Sequence, residues 1–351
     1  MAIPVHRTTK PRPRPEGAPA FGSVFTDHVF RTDWTPERGW HDARIEPYGP
    51  LSLDPAAAVL HYGQEAFEGL KAFRGADGTL RLFRPADHAR RMARTAKRLC
   101  MPEPDEAMLV EAMRAVVRED APWVPEAPGG SLYIRPLLIA TEPFLGVRPA
   151  RSYALLVMAC PVGAYFDKGA KPLRLWVERR HSRSAPGGVG AAKTGANYVA
   201  SLLAAEEAKA RGFDQVLWTD ASTHRLVEEV GTMNLFANLG GTVVTPPLAD
   251  TLLAGVTRDS VLALLRDEKA RVEERPLGVD ELLSASKNGK LVEVFGTGTA
   301  AVVAPVGELA MEEGVITLPA SPDGVAERLG RALREIQRGE RKDPHGWMVA
   351  A

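Results

Sequence analysis

The chain has 351 residues, of which 45% are hydrophobic and 25% are charged, a composition typical of a globular enzyme with about two domains. Lys and Arg together number 44, as do Asp and Glu, and this balance argues against nucleic acid or an anionic membrane as the main partner. Cys100 and Cys160 are the only cysteines; they are too few for a disulfide framework and offer no convincing metal site, so we expect a cytoplasmic protein.

Residues 1–19 contain five prolines and several basic residues but no apolar stretch. A signal peptide needs an apolar stretch, and a transit peptide needs an amphipathic helix that these prolines would break. We therefore expect a mobile or surface-draped arm. No apolar run in the sequence is long enough to span a bilayer, and we expect no membrane partner.

Hydrophobic alternation and turn residues predict an α+β first half with a mostly antiparallel sheet. The expected strands cover 21–30, 57–62, the end of 63–73 after a short helical turn, 80–83 after the turn at 76–78, 131–140 and 152–160. Helices are predicted at 85–98 and 105–118.

The helix at 85–98 has an apolar stripe that includes Met92 and Ala96. Its arginines, Arg91 among them, fall on the other side, so the local pattern predicts a solvated face for Arg91.

Polar, Gly- and Pro-containing composition at 164–172 separates two structured blocks. We expect an arm at 1–19, a small α/β domain at 20–166, a linker at 167–172 and a large domain at 173–351.

The second half also mixes helices and strands. We expect a helix from Asn197 as its cap to Gly212, a strand at 215–219, a strand pair at 230–238 and 242–246, a helix from 255, a strand at 291–295 and a helix at 326–336.

Residues 187–198 place Lys193 among glycines and alanines. Small neighbours let a planar ligand approach the backbone, and a desolvated amine has a lowered pKa and attacks carbonyls. A flexible loop with one solvated lysine is the alternative. The segment 187–194 nearly fits a Walker motif, but Ala192 replaces the glycine before the lysine.

Two other small-residue turns, 255–257 and 296–300, could bind phosphate through backbone N–H groups, or be an ordinary helix cap and a tight turn. The second lacks the third glycine of a dinucleotide fingerprint. Glu229 begins a buried strand, where a carboxylate needs a cation such as a protonated pyridine. We expect its neighbour Glu228 to lie at a solvent-exposed strand edge.

Six motifs resemble those of branched-chain amino-acid aminotransferases. They are 67–73 (Phe-Glu-Gly-Leu-Lys-Ala-Phe), 133–136 (Tyr-Ile-Arg-Pro), 160–166 (Cys-Pro-Val-Gly-Ala-Tyr-Phe), 192–198 (Ala-Lys-Thr-Gly-Ala-Asn-Tyr), 229–234 (Glu-Val-Gly-Thr-Met-Asn) and 294–300 (Val-Phe-Gly-Thr-Gly-Thr-Ala). The match runs in order from about Phe21 to the end. It implies fold type IV of the pyridoxal 5'-phosphate enzymes, with two α/β domains and the cofactor at their interface.

The resemblance assigns the cofactor contacts. It implies that Lys193 forms the Schiff base and moves a proton, Glu229 faces the pyridine nitrogen, and Tyr198 binds the ring hydroxyl. Arg91, Val256, Thr257 and Thr299 match the phosphate-binding group.

The resemblance also implies a pocket for both branched aliphatic and glutamate side chains. Its walls would be Phe21, Tyr62, Phe67, Tyr133 and Tyr165. Arg135 resembles the residue that accepts the glutamate side chain, while Thr232 and the backbone around Thr299 and Ala300 would meet the α-carboxylate.

Leu145 and Val147 match a loop that a neighbouring subunit donates, which implies a homodimer. Mammalian members carry a Cys-x-x-Cys redox pair where this chain has 301–304 (Ala-Val-Val-Ala), so thiol switching is impossible there.

The first hypothesis is therefore a transaminase acting between leucine, isoleucine or valine and 2-oxoglutarate. A D-amino-acid transaminase or aminodeoxychorismate-lyase-like enzyme of the same fold is the second. A nucleotide-binding ATPase, based on the near-Walker segment, is the third, and a non-catalytic dimeric scaffold stays open.

Overall fold

The computed structural model describes residues 3–15, 17, 19–127, 129–163, 171–319 and 321–351, which form two compact units. The first unit contains the described part of 1–167 together with Ala192–Gly195 and Arg334–Ala351. The second contains the described part of 168–191 and 196–333. The domains expected from sequence are each one continuous stretch of the chain, whereas each of the two units combines separate stretches. The expected domain bounds stay a prediction. Most of the expected linker lies outside the described residues.

The first unit contains one sheet and the helices that cover it. Its elements are β1 (His28–Thr35), β2 (Gly39–Pro47), α1 (Ala58–Tyr62), β3 (Glu65–Phe67), β4 (Leu70–Arg74), β5 (Leu80–Phe83), α2 (Pro85–Arg98), α3 (Glu106–Glu119), β6 (Ser131–Ala140), β7 (Tyr153–Val162) and β17 (Met348–Ala350). The strand order is β17-β5-β4-β6-β7-β1-β2, with β3 beside β6, and these pairs are antiparallel as the sequence predicts.

The core of this unit lies between the sheet and helices α2 and α3. Phe30 and Leu132 from the strands pack in one cluster with Met92 of α2 and Leu109 of α3. The apolar stripe predicted for α2 is therefore its core face. Asp105 caps α3, accepting from Met108 N at 2.8 Å.

Three local predictions for this unit are wrong. The strand expected at 21–30 begins only at His28. Residues 65–67 form the strand β3 rather than a helical turn, because they pair with 137–139 of β6. Residues 58–62 form a helix instead of a strand. Only Val59 in this segment is β-branched, and Gly63 ends the helix in the left-handed conformation.

The second unit is built around a sheet that closes on itself. Its elements are β8 (Leu173–Glu178), α4 (Gly195–Ala210), β9 (Gln215–Thr219), β10 (Val227–Val230), β11 (Met233–Leu239), β12 (Thr242–Thr245), α5 (Val256–Asp267), β13 (Arg271–Glu274), α6 (Val279–Lys287), β14 (Leu291–Gly298), β15 (Val302–Met311), β16 (Gly314–Thr317) and α7 (Val325–Arg338). The order β10-β9-β8-β15-β14-β11 returns to β10, while β12, β13 and β16 extend it.

Two predictions for this unit need correction. Asn197 lies inside α4 rather than capping it, because the helix already begins at Gly195 and the Asn197 amide donates to Val189 O at 2.8 Å. The strand expected at 230–238 is broken into β10 and β11, since Gly231 turns the chain with a φ of 56°.

Among the described residues, no helix combines the length and the apolar character that crossing a membrane requires.

Candidate active site

The backbone around Lys193 is held by hydrogen bonds within the first unit. Lys193 N donates to Thr95 Oγ1 of α2 at 3.1 Å, and Phe67 N of β3 donates to Lys193 O at 3.0 Å. Glu65 accepts from Gly195 N and, at 3.2 Å, from Thr194 Oγ1. The segment is therefore ordered on both sides of the lysine, which is the opposite of a flexible loop.

Lys193 is a half-buried residue whose amine lies over an aromatic ring. Nζ lies 4.7 Å from the ring centroid of Phe67. Burial and the positive charge of Arg91 lower the pKa of Lys193 to about 8. At neutral to slightly basic pH a useful fraction of this amine is uncharged, and an uncharged amine can act as a base or nucleophile.

The small residues near Lys193 have a role that the sequence analysis did not assign. A side chain on Gly190 would meet the backbone of Thr251 at 2.5 Å and Ser184 Oγ at 2.7 Å. Gly190 therefore permits close packing of two protein segments within the second unit.

Arg91 is buried, and the prediction of a solvated face was wrong. Only 4% of the residue is exposed, because Nε and Nη2 donate to the two carboxylate oxygens of Glu68 at 2.6 and 2.8 Å. A bidentate ion pair makes burial of a guanidinium possible on the core side of α2.

Aromatic rings surround Arg135 on β6. Its guanidinium carbon lies 4.7 Å from the Phe67 ring centroid, and Nη2 donates to Tyr133 Oη at 3.1 Å. The buried Arg135 Nε has no hydrogen-bond partner within the described part of the chain. Phe21 packs edge-on against Tyr133 with centroids 4.8 Å apart. The structure thus brings Arg135 together with three of the aromatic residues predicted for the pocket.

Other predicted pocket residues lie at the surface of this unit. Tyr62, Leu145 and Val147 are exposed, Val147 to 86%. The hydroxyl of Tyr62 donates to Leu145 O, which links two of the three. Tyr165 lies outside the described residues.

Glu229 is a buried anion in the second unit. It is 3% exposed, and Oε2 lies 3.0 Å from Arg183 Nη2. Oε1 accepts from the side-chain amide of Asn234 at 2.9 Å and from Leu253 N at 3.3 Å. Glu228 is also buried and accepts from Thr251 Oγ1 at 2.7 Å, so its predicted exposure was wrong. Pairing of β10 with both β9 and β11 encloses this strand.

Glu229 lines a small cavity in the second unit. The same cavity is lined by Tyr198 and Ser201 of α4, Thr232, Leu253 and Arg183. The predicted residues Glu229, Tyr198 and Thr232 are therefore brought to one polar cavity.

Helix α5 begins at Val256, and both Val256 and Thr257 are buried. Its N-cap, Gly255, provides no side-chain cap, and a side chain there would overlap with Asn234 Oδ1. An N-terminus built in this way suits an anion.

The turn expected at 296–300 lies later in the chain. Gly296 and Gly298 belong to β14, where side chains would meet Met233 at 2.9 and 3.1 Å, and the turn proper contains the half-buried Thr299 and Ala300. The two glycines therefore make room for Met233. Both cysteines are free thiols; Cys160 is buried and Cys100 is exposed.

Sequence reasoning missed the residues that hold the predicted ones. They are Glu65, Glu68, His88, Thr95, Arg183 and Asn234. The spacing of His88 and Arg91, three residues apart on one helix, was a usable signal for a shared partner. No local signal marks Arg183, because its contact with Glu229 depends on the tertiary fold.

The donor set fits a phosphate-bearing pyridine aldehyde. Such a group needs an amine of lowered pKa, a buried carboxylate for a ring nitrogen and donors for a phosphate. The first unit contains such an amine in Lys193, and the second unit contains a buried carboxylate, Glu229, and a helix N-terminus at the start of α5.

Comparison with known proteins gives a consistent result. Residues 65–309 match the family described as amino-transferase class IV. Branched-chain-amino-acid aminotransferase 2 of Bacillus subtilis is 46% identical over 99% of this chain and 96% of that protein. A probable branched-chain-amino-acid aminotransferase of Streptomyces coelicolor is 50% identical over 94% of this chain and 92% of that protein.

Solved structures agree with this result. A T.th. branched-chain amino acid aminotransferase with pyridoxamine 5'-phosphate has a TM-score of 0.74 and 32% identity, covering 91% of this chain and 97% of that one. The Escherichia coli enzyme has a TM-score of 0.76 and 27% identity, covering 92% and 98%. The expected fold class is confirmed, and the comparisons favour the first of the sequence-based hypotheses. This chain belongs to the branched-chain-amino-acid aminotransferases of class IV, which carry out transamination with pyridoxal 5'-phosphate.

Proposed function

We propose that this chain moves the amino group between leucine, isoleucine or valine and 2-oxoglutarate, with Lys193 as the catalytic base. The observation that carries the proposal is the amine of Lys193, whose pKa burial lowers to about 8, in a backbone segment fixed by Thr95, Phe67 and Glu65. The names of relatives at 46% and 50% identity support the substrate class.

The cofactor contacts divide between an acid, a hydroxyl and an anion-binding group. When bound, pyridoxal 5'-phosphate supplies an aldehyde carbon that takes up the amino group and a cationic ring that stabilises negative charge. Glu229, which pairs with Arg183, would hold a proton on the ring nitrogen, and Tyr198 would bind the ring hydroxyl. The remaining contacts would hold the phosphate: Arg91, Val256, Thr257 and Thr299.

Lys193 performs the proton transfer in this proposal. Its uncharged Nζ accepts the proton from the substrate α-carbon, and the resulting ammonium gives the proton up later in the reaction. The fixed backbone at 193–195 limits the positions of Nζ, which favours proton transfer between two carbon atoms that both lie within its reach.

Arg135 is the proposed contact for the glutamate side chain. Its buried Nε, which has no partner among the described residues, is a donor that a carboxylate can use. The rings of Phe21, Phe67 and Tyr133, with Tyr62 and Tyr165, would bury aliphatic side chains. Thr232 and Ala300 would contact the α-carboxylate.

We also propose a cytoplasmic homodimer. The exposed Leu145 and Val147 support a partner surface, because large apolar side chains gain free energy when covered. The cytoplasmic location is supported by two cysteines that are both free thiols.

The first test maps the cofactor. Borohydride reduction of the holoenzyme fixes the cofactor to the lysine that carries it, and peptide mass spectrometry locates the label. We expect the label on Lys193. Lys71 of β4 is a demanding internal control, because burial lowers its pKa to about 8 as well. Label on Lys71 alone would disprove the assigned role of Lys193.

The second test replaces the base and varies the donor. Lys193→Ala is expected to remain folded and to lose transamination, and normal turnover in that variant would remove Lys193 as the base. For the wild-type enzyme we expect leucine to be preferred over D-alanine as amino donor. A preference for D-alanine would instead support the D-amino-acid transaminase hypothesis.

A further inference from the structure

Glu68 is a buried carboxylate to which the proposed mechanism assigns no role. It directly follows β3 and is fully buried. Besides the two bonds from Arg91, Oε2 accepts from His88 Nδ1 at 2.8 Å and from Gly69 N at 3.1 Å. Although burial alone would raise its pKa, Arg91 and His88 hold the pKa of Glu68 well below its usual range.

The geometry of this cluster restricts Arg91 to one orientation. His88 and Arg91 are three residues apart on α2, so both side chains reach the same side of the helix. The guanidinium meets the carboxylate through Nε and Nη2, a planar two-point contact that fixes the direction of the whole fork.

The charges of this cluster act on the amine of Lys193. Arg91 lowers the pKa of Lys193, and Glu68 raises it. From β6, Tyr133 raises this pKa and Arg135 lowers it. His88 and the Glu65 carboxyl also interact with the Lys193 charge. The backbone places both groups next to the lysine: Phe67, the residue before Glu68, lies under Nζ and donates to Lys193 O, and Thr95, one helical turn after Arg91, accepts from Lys193 N. Glu68 therefore offsets the charge of Arg91 near the proposed base.

We propose that Glu68 is a positioning residue of the reaction: it holds the Arg91 guanidinium in one orientation and balances its charge beside Lys193. This inference rests on the proposed function, in which Arg91 binds the cofactor phosphate and Lys193 is the base. Glu68 itself contacts neither substrate nor cofactor in the proposal.

The charge-balancing role is tested on the full-length apoenzyme. The rate at which an amine-selective acylating reagent labels Lys193, followed by peptide mass spectrometry from about pH 6 to 11, gives the midpoint of its titration. Glu68→Gln is expected to lower this midpoint by about 1 pH unit, because Arg91 is then unbalanced. Arg91→Gln is expected to raise it, and the double variant, which removes both buried charges, is expected to return it close to the wild-type midpoint.

Asp120→Asn provides a matched control. It also changes a buried carboxylate of the first unit to an amide, at a site where His28 Nδ1 is the hydrogen-bond partner at 2.7 Å. Its midpoint is expected to equal that of the wild type. If Glu68→Gln fails to fold, the charge-balancing role is still tested by comparing Arg91→Gln with the double variant. A titration midpoint of Lys193 that is as high in the double variant as in Arg91→Gln overturns the proposal.

The orienting role is tested with a variant that keeps the charge. Glu68→Asp is one methylene shorter, so it cannot make the same two-point contact with Arg91. We expect this variant to bind pyridoxamine 5'-phosphate with an affinity lowered by about 10-fold or more. Pyridoxamine, which lacks the phosphate, is expected to bind with the same affinity as to the wild type. Unchanged binding of both probes would overturn this role. Failure of the proposed function gives a different result, since the borohydride label would then lie outside Lys193.

Discussion

Two buried carboxylates of this protein each have a cationic side chain at hydrogen-bonding distance. Glu68 meets Arg91 in the first unit, and Glu229 meets Arg183 in the second. Breaking such a pair leaves an isolated buried charge, which typically costs about 3–5 kcal/mol. Each carboxylate is therefore held in one position by its ion pair, which is what a proton-holding or charge-balancing group requires.

Gly69 is expected to control the position of Tyr133. An added Cβ would overlap with Tyr133 Oη, and Tyr133 in turn accepts from Arg135. Gly69→Ala is therefore expected to displace this pair and to raise KM for 2-oxoglutarate about 10-fold, a loss of about 1.4 kcal/mol. KM for leucine should change less. Steady-state kinetics with both substrates measures the effect.

The control for this prediction is Gly49→Ala. Its added Cβ would have no atom within 4 Å, and kinetics like those of the wild type are expected. Equal losses for 2-oxoglutarate and leucine in Gly69→Ala would contradict a specific role for Arg135.

Lys193 is expected to make the stability of the apoenzyme depend on pH. Because its pKa falls from the ordinary 10.5 to about 8, the unfolded chain binds more protons than the folded chain between these values. The contribution of Lys193 to the free energy of unfolding therefore rises with pH between about 8 and 10.5. Lys193→Met is expected to be more stable than the wild type at pH 7, with the difference shrinking from pH 8 toward 10.5.

Denaturant unfolding of both apoenzymes at a series of pH values checks this expectation. Lys97→Met, at an exposed position of α2, reports the effect of methionine alone. A stability difference between Lys193→Met and the wild type that is constant from pH 7 to 10 would show that the amine is not desolvated in the folded chain.

At the scale of elements, the N-terminal arm is attached to the first unit. Ile45 N of β2 donates to Pro4 O, and His6 N donates to Ile45 O, both at 2.8 Å. Further along, Thr8 N donates to the ring of His28 at 3.1 Å. Of the two forms expected from sequence, these contacts correspond to the surface-draped one.

His6→Pro is expected to loosen the start of this arm. Proline has no N–H to donate to Ile45 O, so the pairing with β2 is lost. Amide hydrogen exchange should become faster at Ile45, and trypsin should cleave after Arg7 sooner than in the wild type. Unchanged exchange at Ile45 would mean that Thr8 and later contacts hold the arm without this pairing. His6→Ala keeps the N–H and is the control.

Elements with strong local signals were predicted closely. The helix at 85–98 and the strands at 131–140 and 215–219 have the predicted bounds, because stop and start signals and apolar periodicity agree there. Short segments were not predicted well. The pairing that makes 65–67 a strand comes from β6, about 70 residues later in the chain, which no local pattern reports.

At the scale of the whole molecule, the proposed homodimer predicts the behaviour of Val147. A charge at this exposed position would be buried on association, so Val147→Glu is expected to yield monomers and lower activity. Sedimentation velocity measures the first effect and a leucine transamination assay the second.

Val315→Glu is the matched control, since Val315 is also an exposed valine, on β16. It is expected to leave the oligomeric state unchanged. A wild-type enzyme that sediments as a monomer and is fully active would refute the dimer requirement.

The sequence by itself determined the family and the identities of the proposed base and acid. Lys193 and Glu229 lie in motifs that are recognised from the order of their residues alone, without knowledge of the fold. Tertiary structure decided which groups surround them: Glu68 and Thr95 in the first unit, and Arg183 and Asn234 in the second. It also buried Arg91 on a helix face that local periodicity assigned to solvent. The reason is that ion pairing across distant segments, which makes burial of charge possible, depends on distances that sequence spacing does not encode.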